Sequence, residues 1–464
     1  MRTTHTVRHT RIMGASAVIL AGAMAVAGCA SSSSGSDAGS GGDASTSNCF
    51  LSGSDSPSGA AGSGTETGGK VTISFMEAMS GGSLKGSLAH LTSQFEAANP
   101  NITVNLQESP DYATLEKNEK DAISAKKAPT IGQVYEGWAA DYARSGVIDP
   151  LDSYTGGATG PALTSLYSGV RDDLKLCDGK TWMWPFNKSV YVNFYNADML
   201  RAAGQSVPTT WDQYATAAKA VSKNGVVGIT IDPGGKGAPT PGLIWYEILA
   251  DSYGTPVFDK NGMPDFTSAN AVKAMQYLAD MKKAGSLAVG KNYPGETALG
   301  AQKGLDDISS VAGYSYESQA VGGKFTMGTT DLPSGPATQA NQMNGTNIVM
   351  FDQASSAEKQ AAWKYMQFLS SAQSQAYWAG QTGYLPVTPA ALPQMSAFVA
   401  KNPWMTTAAQ ALQHSSGTAP VPWADDAQGE LAVALTTVLT SGTSPKDALA
   451  KAQTDAMSDV KADQ

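Results

Sequence analysis

The sequence predicts an α/β fold built as two strand–helix units. Short β-branched runs alternate with helical runs from Val71 to Ser145. The same alternation restarts near residue 190 and continues to about 330. The chain has 464 residues, 42% of them hydrophobic, which exceeds one ordinary domain and supplies apolar material for two or three cores.

Val71–Phe75 reads as a strand and Ser83–Ala98 as a helix. Ile102–Leu106 and Ile131–Tyr135 are further strands; Thr114–Lys126 and Trp138–Ser145 are the helices after them. Strands alternating with helices imply a parallel sheet with helices on its faces. Ligands of such sheets sit beyond the carboxyl ends of the strands. Here those ends are Met76–Gly82, Gln107–Tyr112 and Glu136–Trp138.

Tyr191–Tyr195 is another extended run, after the Trp182–Asn187 aromatic cluster. Thr210 and Gln213 have capping-box spacing, and Gly225 stops that helix. Val226–Ile231 is a strand, Asp232–Gly242 a Gly/Pro-rich loop and Leu243–Asp251 a helix. Ser268 caps a helix to Ala284, where Gly285 ends it; Leu305–Val311 and Phe325–Thr329 are strands. Ser355 with Glu358 is a second capping box, opening a helix through Leu369. A helical tail follows, with Pro445 in the first turn after Ser444.

The N-terminus sets the compartment. Arg2, Arg8 and Arg11 precede an apolar stretch, Ile12–Ala27, and then Val26-Ala27-Gly28-Cys29. A basic end, a short apolar core and small residues before a cut form a secretory signal. The last four residues resemble a bacterial lipobox, which implies lipidation of Cys29 and a signal peptide over 1–28. Residues 29–69 are mostly Ser and Gly and read as a disordered tether, spanning roughly 35 Å. Cys49 and Cys177 are then left in an oxidising space, either as a disulfide or as two free thiols.

Composition removes several function classes. The formal charge is −9, which argues against a nucleic-acid binder. Three cysteines and four histidines, two of these in the leader, give no metal-site spacing and no reason to expect a cofactor. Ser124–Lys127 matches S-x-x-K without a partner motif, and Gly179-Lys180-Thr181 lacks the upstream glycine of a P-loop. The adjacent acids Asp306-Asp307 and Asp425-Asp426 read as surface charge.

Aromatic placement is more informative. Tyr112, Trp138, Tyr314, Tyr384 and Trp423 fall at strand ends or loops, whereas Trp211, Trp363 and Trp378 sit in helices and read as core. Stacking a sugar's apolar face on an aromatic ring buries roughly 80–100 Å², worth about 2 kcal/mol.

An ordered set of motifs then resembles the family 1 extracellular solute-binding proteins of bacterial ABC importers. The set comprises Phe95–Pro100, Ala128–Glu136, Trp184–Asn187 leading to Tyr195-Asn196, Pro208–Asp212, Ala361–Leu369 and Gln381–Pro386. It spans nearly all of 70–455. Gln133–Glu136 and Thr382–Pro386 are similar to the branch that binds glycerol-3-phosphate and glycerophosphodiesters. The resemblance implies a periplasmic-binding-protein-like fold: mixed sheets flanked by helices, in two lobes joined by a hinge. The N-terminal lobe is expected over 70–188 and 330–372, the C-terminal lobe with its helical tail over 189–329 and 373–464.

By that resemblance Tyr112, Glu136, Ser189, Gly345 and Tyr384 match cleft positions. Trp138, Asn187, Gly313, Tyr314, Asn344 and Trp423 complete the candidate site, with Glu136 and Asn187 taking hydroxyl bonds and Trp138 and Trp423 stacking. Two departures stand out. The branch's tryptophan-bearing loop corresponds to Gly234–Ala238, with no aromatic, and its phosphate-binding arginine has no counterpart in Val421–Asp426. An anion without a guanidinium loses about 1.5–3 kcal/mol of charge-assisted bonding. Lys236 is the available substitute.

The function expected is therefore carbohydrate capture without catalysis, by a lipid-anchored monomer on the outer face of the cell membrane that delivers to ABC permease subunits. Glycerol-3-phosphate or a glycerophosphodiester is the alternative ligand. A secreted glycan hydrolase using Glu136 with Asp232 or Asp425, and an adhesin, are the competing classes.

Overall fold

The computed structural model describes residues 49–51, 69–156, 160–237, 239–413 and 415–463. The expected signal peptide, Cys29 and most of the Ser/Gly tract lie outside the described residues. Among those described, nine strands are present: β1 (Val71–Glu77), β2 (Ile102–Glu108), β3 (Ile131–Val134), β4 (Trp184–Asn196), β5 (Val227–Ile231), β6 (Leu287–Val289), β7 (Gly304–Ser310), β8 (Met327–Thr330) and β9 (Met343–Met350). Their order is β2-β1-β3-β9-β4-β7-β5-β6, with β8 also beside β4.

The fold is α/β with mixed sheets, as the alternation predicts. β1 runs parallel to β2 and β3, and β5 parallel to β6 and β7. β4 is antiparallel to all its partners and belongs to both halves. Trp184–Val190 pairs with β9, while Tyr191–Asn196 pairs with β7 and β8. Its sequence anticipates only Tyr191–Tyr195 as extended. Period-2 alternation fails along β4 because almost every side chain is buried, as happens when both faces of a strand are covered.

Two cores flank this shared strand. The first holds Phe75, Phe95, Trp184, Phe186 and Tyr365; the second holds Trp211, Tyr214, Trp245, Leu278 and Leu435. Three segments pass between them: β4, whose Tyr191 lies in the second core, the stretch Ala340–Met343, and residues 415–421. A bridge between Gln342 and Ser416 ties two of these crossings together.

The helices follow their local chemistry. Ser268 accepts a bond from the Ala271 amide, 3.1 Å, and starts the helix Ala269–Lys283. Ser355 and Glu358 form the reciprocal capping box. Thr210 accepts from the Gln213 amide, but Gln213 reaches back to Thr209 rather than to Thr210.

One boundary differs from expectation. Residues 373–412, expected in the C-terminal lobe, pack on the first core through Trp378, Leu385, Val387 and Met405. The indole of Trp378 lies 5.3 Å from Phe186. Burying roughly 200 Å² of indole contributes about 5 kcal/mol, enough to hold this segment there. Only the helices Ala424–Ser441 and Pro445–Asp463 join the second core.

Cys49 and Cys177 are joined as a disulfide. Beside it Leu51 enters the first core, and Phe50 meets Trp423 edge-on at 6.2 Å. No described helix is long and apolar enough to cross a membrane.

Candidate functional site

The strand ends and the crossing strands bring most of the expected residues together. Tyr112 opens the helix Tyr112–Ser124 after β2, where Asp111 caps the Thr114 amide at 2.7 Å. The Tyr112 ring stands 5.1 Å from Tyr135, at the end of β3. Burial raises the pKa of its hydroxyl, which interacts with Tyr384, Asn187 and Gln133. Tyr384 is stacked on Trp378 at 6.2 Å, and its hydroxyl senses Tyr112, Tyr135 and Tyr316.

Alternation along β4 sends Asn187 and Ser189 to one face and Lys188 to the other. On the first face Asn187 accepts the Thr346 amide at 2.9 Å, and Gln133 donates to the Thr346 hydroxyl at 2.6 Å. Ser310, at the end of β7, donates to Ser189 at 2.9 Å and so joins the second half-sheet to this group. Asn344 sits opposite Ser189 in register, and its amide nitrogen has no partner among the described residues.

The other face is ionic. Lys188 Nζ lies 2.6 Å from Asp173 and 3.2 Å from Glu136, all three side chains being buried. Asn347 Nδ2 donates to both carboxylates at 3.0 Å. Burial, reinforced by the Asp173 charge, pushes the Glu136 carboxyl up to about 8 despite Lys188. Burial also works against the Lys188 ammonium, but the two carboxylates outweigh it and its pKa is raised. Glu136 therefore spends an oxygen on Lys188 and Asn347. It is not the open hydroxyl acceptor expected from the sequence.

Three further expectations change. Gly345 has φ +103°, and a Cβ there would lie 1.8 Å from the Asn187 carbonyl oxygen. The close approach it permits is between β9 and β4. Trp423 is buried against Phe50, Met263 and Val421, and donates its indole N–H to the Gly262 carbonyl at 2.8 Å. Its ring is spent in packing, and it is absent from the tyrosine group that Trp138 joins by an edge contact to Tyr135 at 5.1 Å. Tyr314 is stacked on Trp404 at 4.6 Å, next to Gly313, which has open space at its Cβ position.

Asp306 and Asp307 are buried rather than surface charges. They sit in β7, where alternation gives each a separate environment: Asp306 accepts from the Tyr214 hydroxyl at 2.9 Å, and Asp307 meets Glu317.

Two cavities adjoin these groups. One, about 620 Å³, lies between the cores and is lined by Glu136, Asp173, Asp251, Thr338 and Ser415–Pro420. The other, about 250 Å³, opens at the ends of β5 and β6 and is lined by Asp232, Trp245, Tyr293 and Asp307. Neither lining includes a lysine or arginine. Lys236, the expected stand-in for the missing arginine, is paired with Glu430. Among the described residues no three His, Cys, Asp or Glu side chains converge as metal ligands.

Sequence reasoning passed over Gln133, Tyr135, Tyr191 and Tyr293 as site residues. Tyr135 and Gln133 stand in the motif that contains Glu136, so the strand-end position could have found them. Tyr191 senses Tyr293, Glu247 and Asp307, and Tyr135 senses Tyr191. Tyr191 stands where β4 pairs with β7, and Tyr293 lines the smaller cavity.

Known proteins share this fold. A family model described as bacterial extracellular solute-binding protein matches residues 90–407. The sn-glycerol-3-phosphate-binding periplasmic protein of Escherichia coli K12 is 28% identical over 368 residues, covering 73% of this chain and 80% of that one. Among solved structures, UgpB from Mycobacterium tuberculosis in complex with glycerophosphocholine superimposes with a TM-score of 0.73 at 19% identity, over 85% of this chain and 100% of that one. The cyclic alpha-maltosyl-1,6-maltose binding protein of Arthrobacter globiformis gives 0.74 at 19% identity over the same shares. These likenesses establish the two-lobed fold.

Proposed function

Because the chain belongs to the bacterial extracellular solute-binding protein family, we propose that it is the substrate-binding component of an ABC importer and captures a sugar or short oligosaccharide between its lobes. The observation that carries this reading is the convergence of Tyr112, Tyr384, Asn187 and Gln133 beside β4, the strand that the two halves share. Hydroxyl and amide groups set among aromatic rings suit an alcohol-rich ligand. Hinge bending along β4 and the two other crossings would close the lobes on it, with the ligand favouring the closed population. Cys29, lipidated, would hold the protein at the outer face of the membrane, where it would meet the permease as a monomer.

A second reading, glycerol-3-phosphate or a glycerophosphodiester, is favoured by what the Escherichia coli relative and the Mycobacterium tuberculosis structure bind. Against it stand cavity linings without a cation and the engagement of Lys236 by Glu430. A phosphate needs charge-assisted partners. A hydrolase built on Glu136 is disfavoured because Lys188 and Asn347 occupy its carboxylate.

Isothermal calorimetry against mono-, di- and trisaccharides and against glycerophosphodiesters tests the reading. Binding of at least one solute without turnover is expected. A folded protein that binds none of them would refute it.

A further inference from the structure

The 250 Å³ cavity in the second lobe has features that its packing alone leaves unexplained. Its volume is below the ~300–1,000 Å³ of drug-sized sites and suits a single ring. Trp245, fully buried, forms part of its wall, and its indole N–H has no acceptor among the described residues. The buried indoles of Trp378 and Trp404 also lack an acceptor among the described residues, but of the three only Trp245 lines this cavity, where a bound hydroxyl or water would supply one.

The rim is unusual as well. Asn292 and Tyr293 have φ of 59° and 55°, consecutive left-handed residues without a glycine. For a bulky side chain such as Tyr293 that backbone is an outlier, and outliers of this kind concentrate at ligand clamps. The turn is held from both sides. Asp232 accepts the Asn292 amide at 3.3 Å, and Thr297 donates to the Tyr293 carbonyl at 3.2 Å. What the turn delivers is an aromatic residue at the cavity mouth that is 69% exposed.

The floor carries Asp307. Gly295 packs so closely that a Cβ would lie 1.9 Å from Asp307 Oδ1. Burial raises the carboxyls of both Asp307 and Glu317, and the Asp307 charge raises Glu317 further. The other carboxylate, Asp232, is occupied by Lys291, 2.8 Å, and by the Gly234 amide, 3.0 Å. An anionic ligand would meet negative charge here with no lining cation. A neutral ring would find Asp307 as hydroxyl acceptor, Trp245 as wall and Tyr293 as a stacking face.

We propose that this cavity is a single-ring subsite for an uncharged sugar, with Tyr293 as its stacking platform and Asp307 as its hydroxyl acceptor, so that Tyr293 determines specificity for carbohydrate over phosphodiester. The inference rests on the solute-binding reading above and narrows its ligand class.

Calorimetry of the full mature chain with glucose, maltose, maltotriose and glycerophosphocholine tests it, on the wild type and on Tyr293→Asn. Asparagine tolerates the left-handed backbone, so the turn is kept. Losing a stacked ring costs the sugar about 10–30-fold in Kd, from the area such a ring covers. The expected result is sugar binding by the wild type, that loss in Tyr293→Asn, and an unchanged thermal midpoint for the free variant. Binding of glycerophosphocholine alone, or sugar binding that Tyr293→Asn leaves intact, overturns the subsite while the solute-binding reading stands. Silence from all four probes counts against both.

Discussion

Replacing Lys188 by methionine removes the cation that holds Asp173 and Glu136 together, while keeping an apolar stem of similar length in β4. All three side chains are buried, and Lys188 bonds both carboxylates. Breaking a buried ion pair by deleting one partner costs about 3–5 kcal/mol, because the surviving charges stay out of water. The loss should depend on pH in a definite direction. Glu136 has its pKa raised to about 8 by burial and by Asp173, so at pH 5 it is already protonated. The deficit there should be about 2 kcal/mol, at the low end for a buried group that loses its charged partner. At pH 9 Glu136 is pressed to ionise, and the full ~3–5 kcal/mol should appear. Urea denaturation of wild type and Lys188→Met at the two pH values, with linear extrapolation, measures this. A loss below about 1 kcal/mol at pH 9, or the same loss at both pH values, would show that the buried triad does not carry the stability assigned to it.

Other perturbations probe the same frame. Gly345→Ala forces a Cβ onto the Asn187 carbonyl at a positive φ and should lower the urea-derived stability by about 3 kcal/mol or more; a loss under 1 kcal/mol contradicts the tight β4–β9 approach. Glu247 has its carboxyl raised to about 7, chiefly by burial, while the Gln428 amide that bonds it pulls the other way. A raised acid favours the fold below its unfolded pKa and loses that contribution as pH rises through 7. Glu247→Gln should therefore match wild type at pH 4 and exceed it by about 3 kcal/mol at pH 9, from thermal or urea melts; identical pH profiles would contradict it. In a Cys29→Ser background, thiol titration should find no free thiol until reductant opens Cys49–Cys177, and two afterwards.

Much of the fold is readable because its physics is local. β1 alternates, Ser268 and Ser355 cap their helices, and Gly285 ends one. β4 reads short because a strand covered on both faces loses its period, and β9 escapes notice because Met343–Met350 carries Asn344, Gly345 and Asn347, all poor strand signals. The tyrosine group was half visible. Strand-end position singled out Tyr112 and Tyr384, but Tyr135 lay hidden beside the acid in its own motif, and Tyr293 in a Pro/Gly turn. Glu136 and Trp423 were misjudged for one reason: each is consumed by a partner distant in sequence, Lys188 in one case and Phe50 with Gly262 in the other. Burial of Asp306-Asp307 follows the same logic, since only the fold supplies Tyr214 and Glu317.

The most direct measurement is the affinity of the double variant Tyr112→Phe/Tyr384→Phe for the solute that the wild type binds in calorimetry. Each hydroxyl removed from a buried hydrogen-bonded group should weaken binding by about tenfold, so roughly 100-fold is expected for the pair, measured under conditions where the urea melt shows the variant fully folded. Wild-type affinity in the double variant would contradict capture of the ligand between the lobes at this tyrosine group.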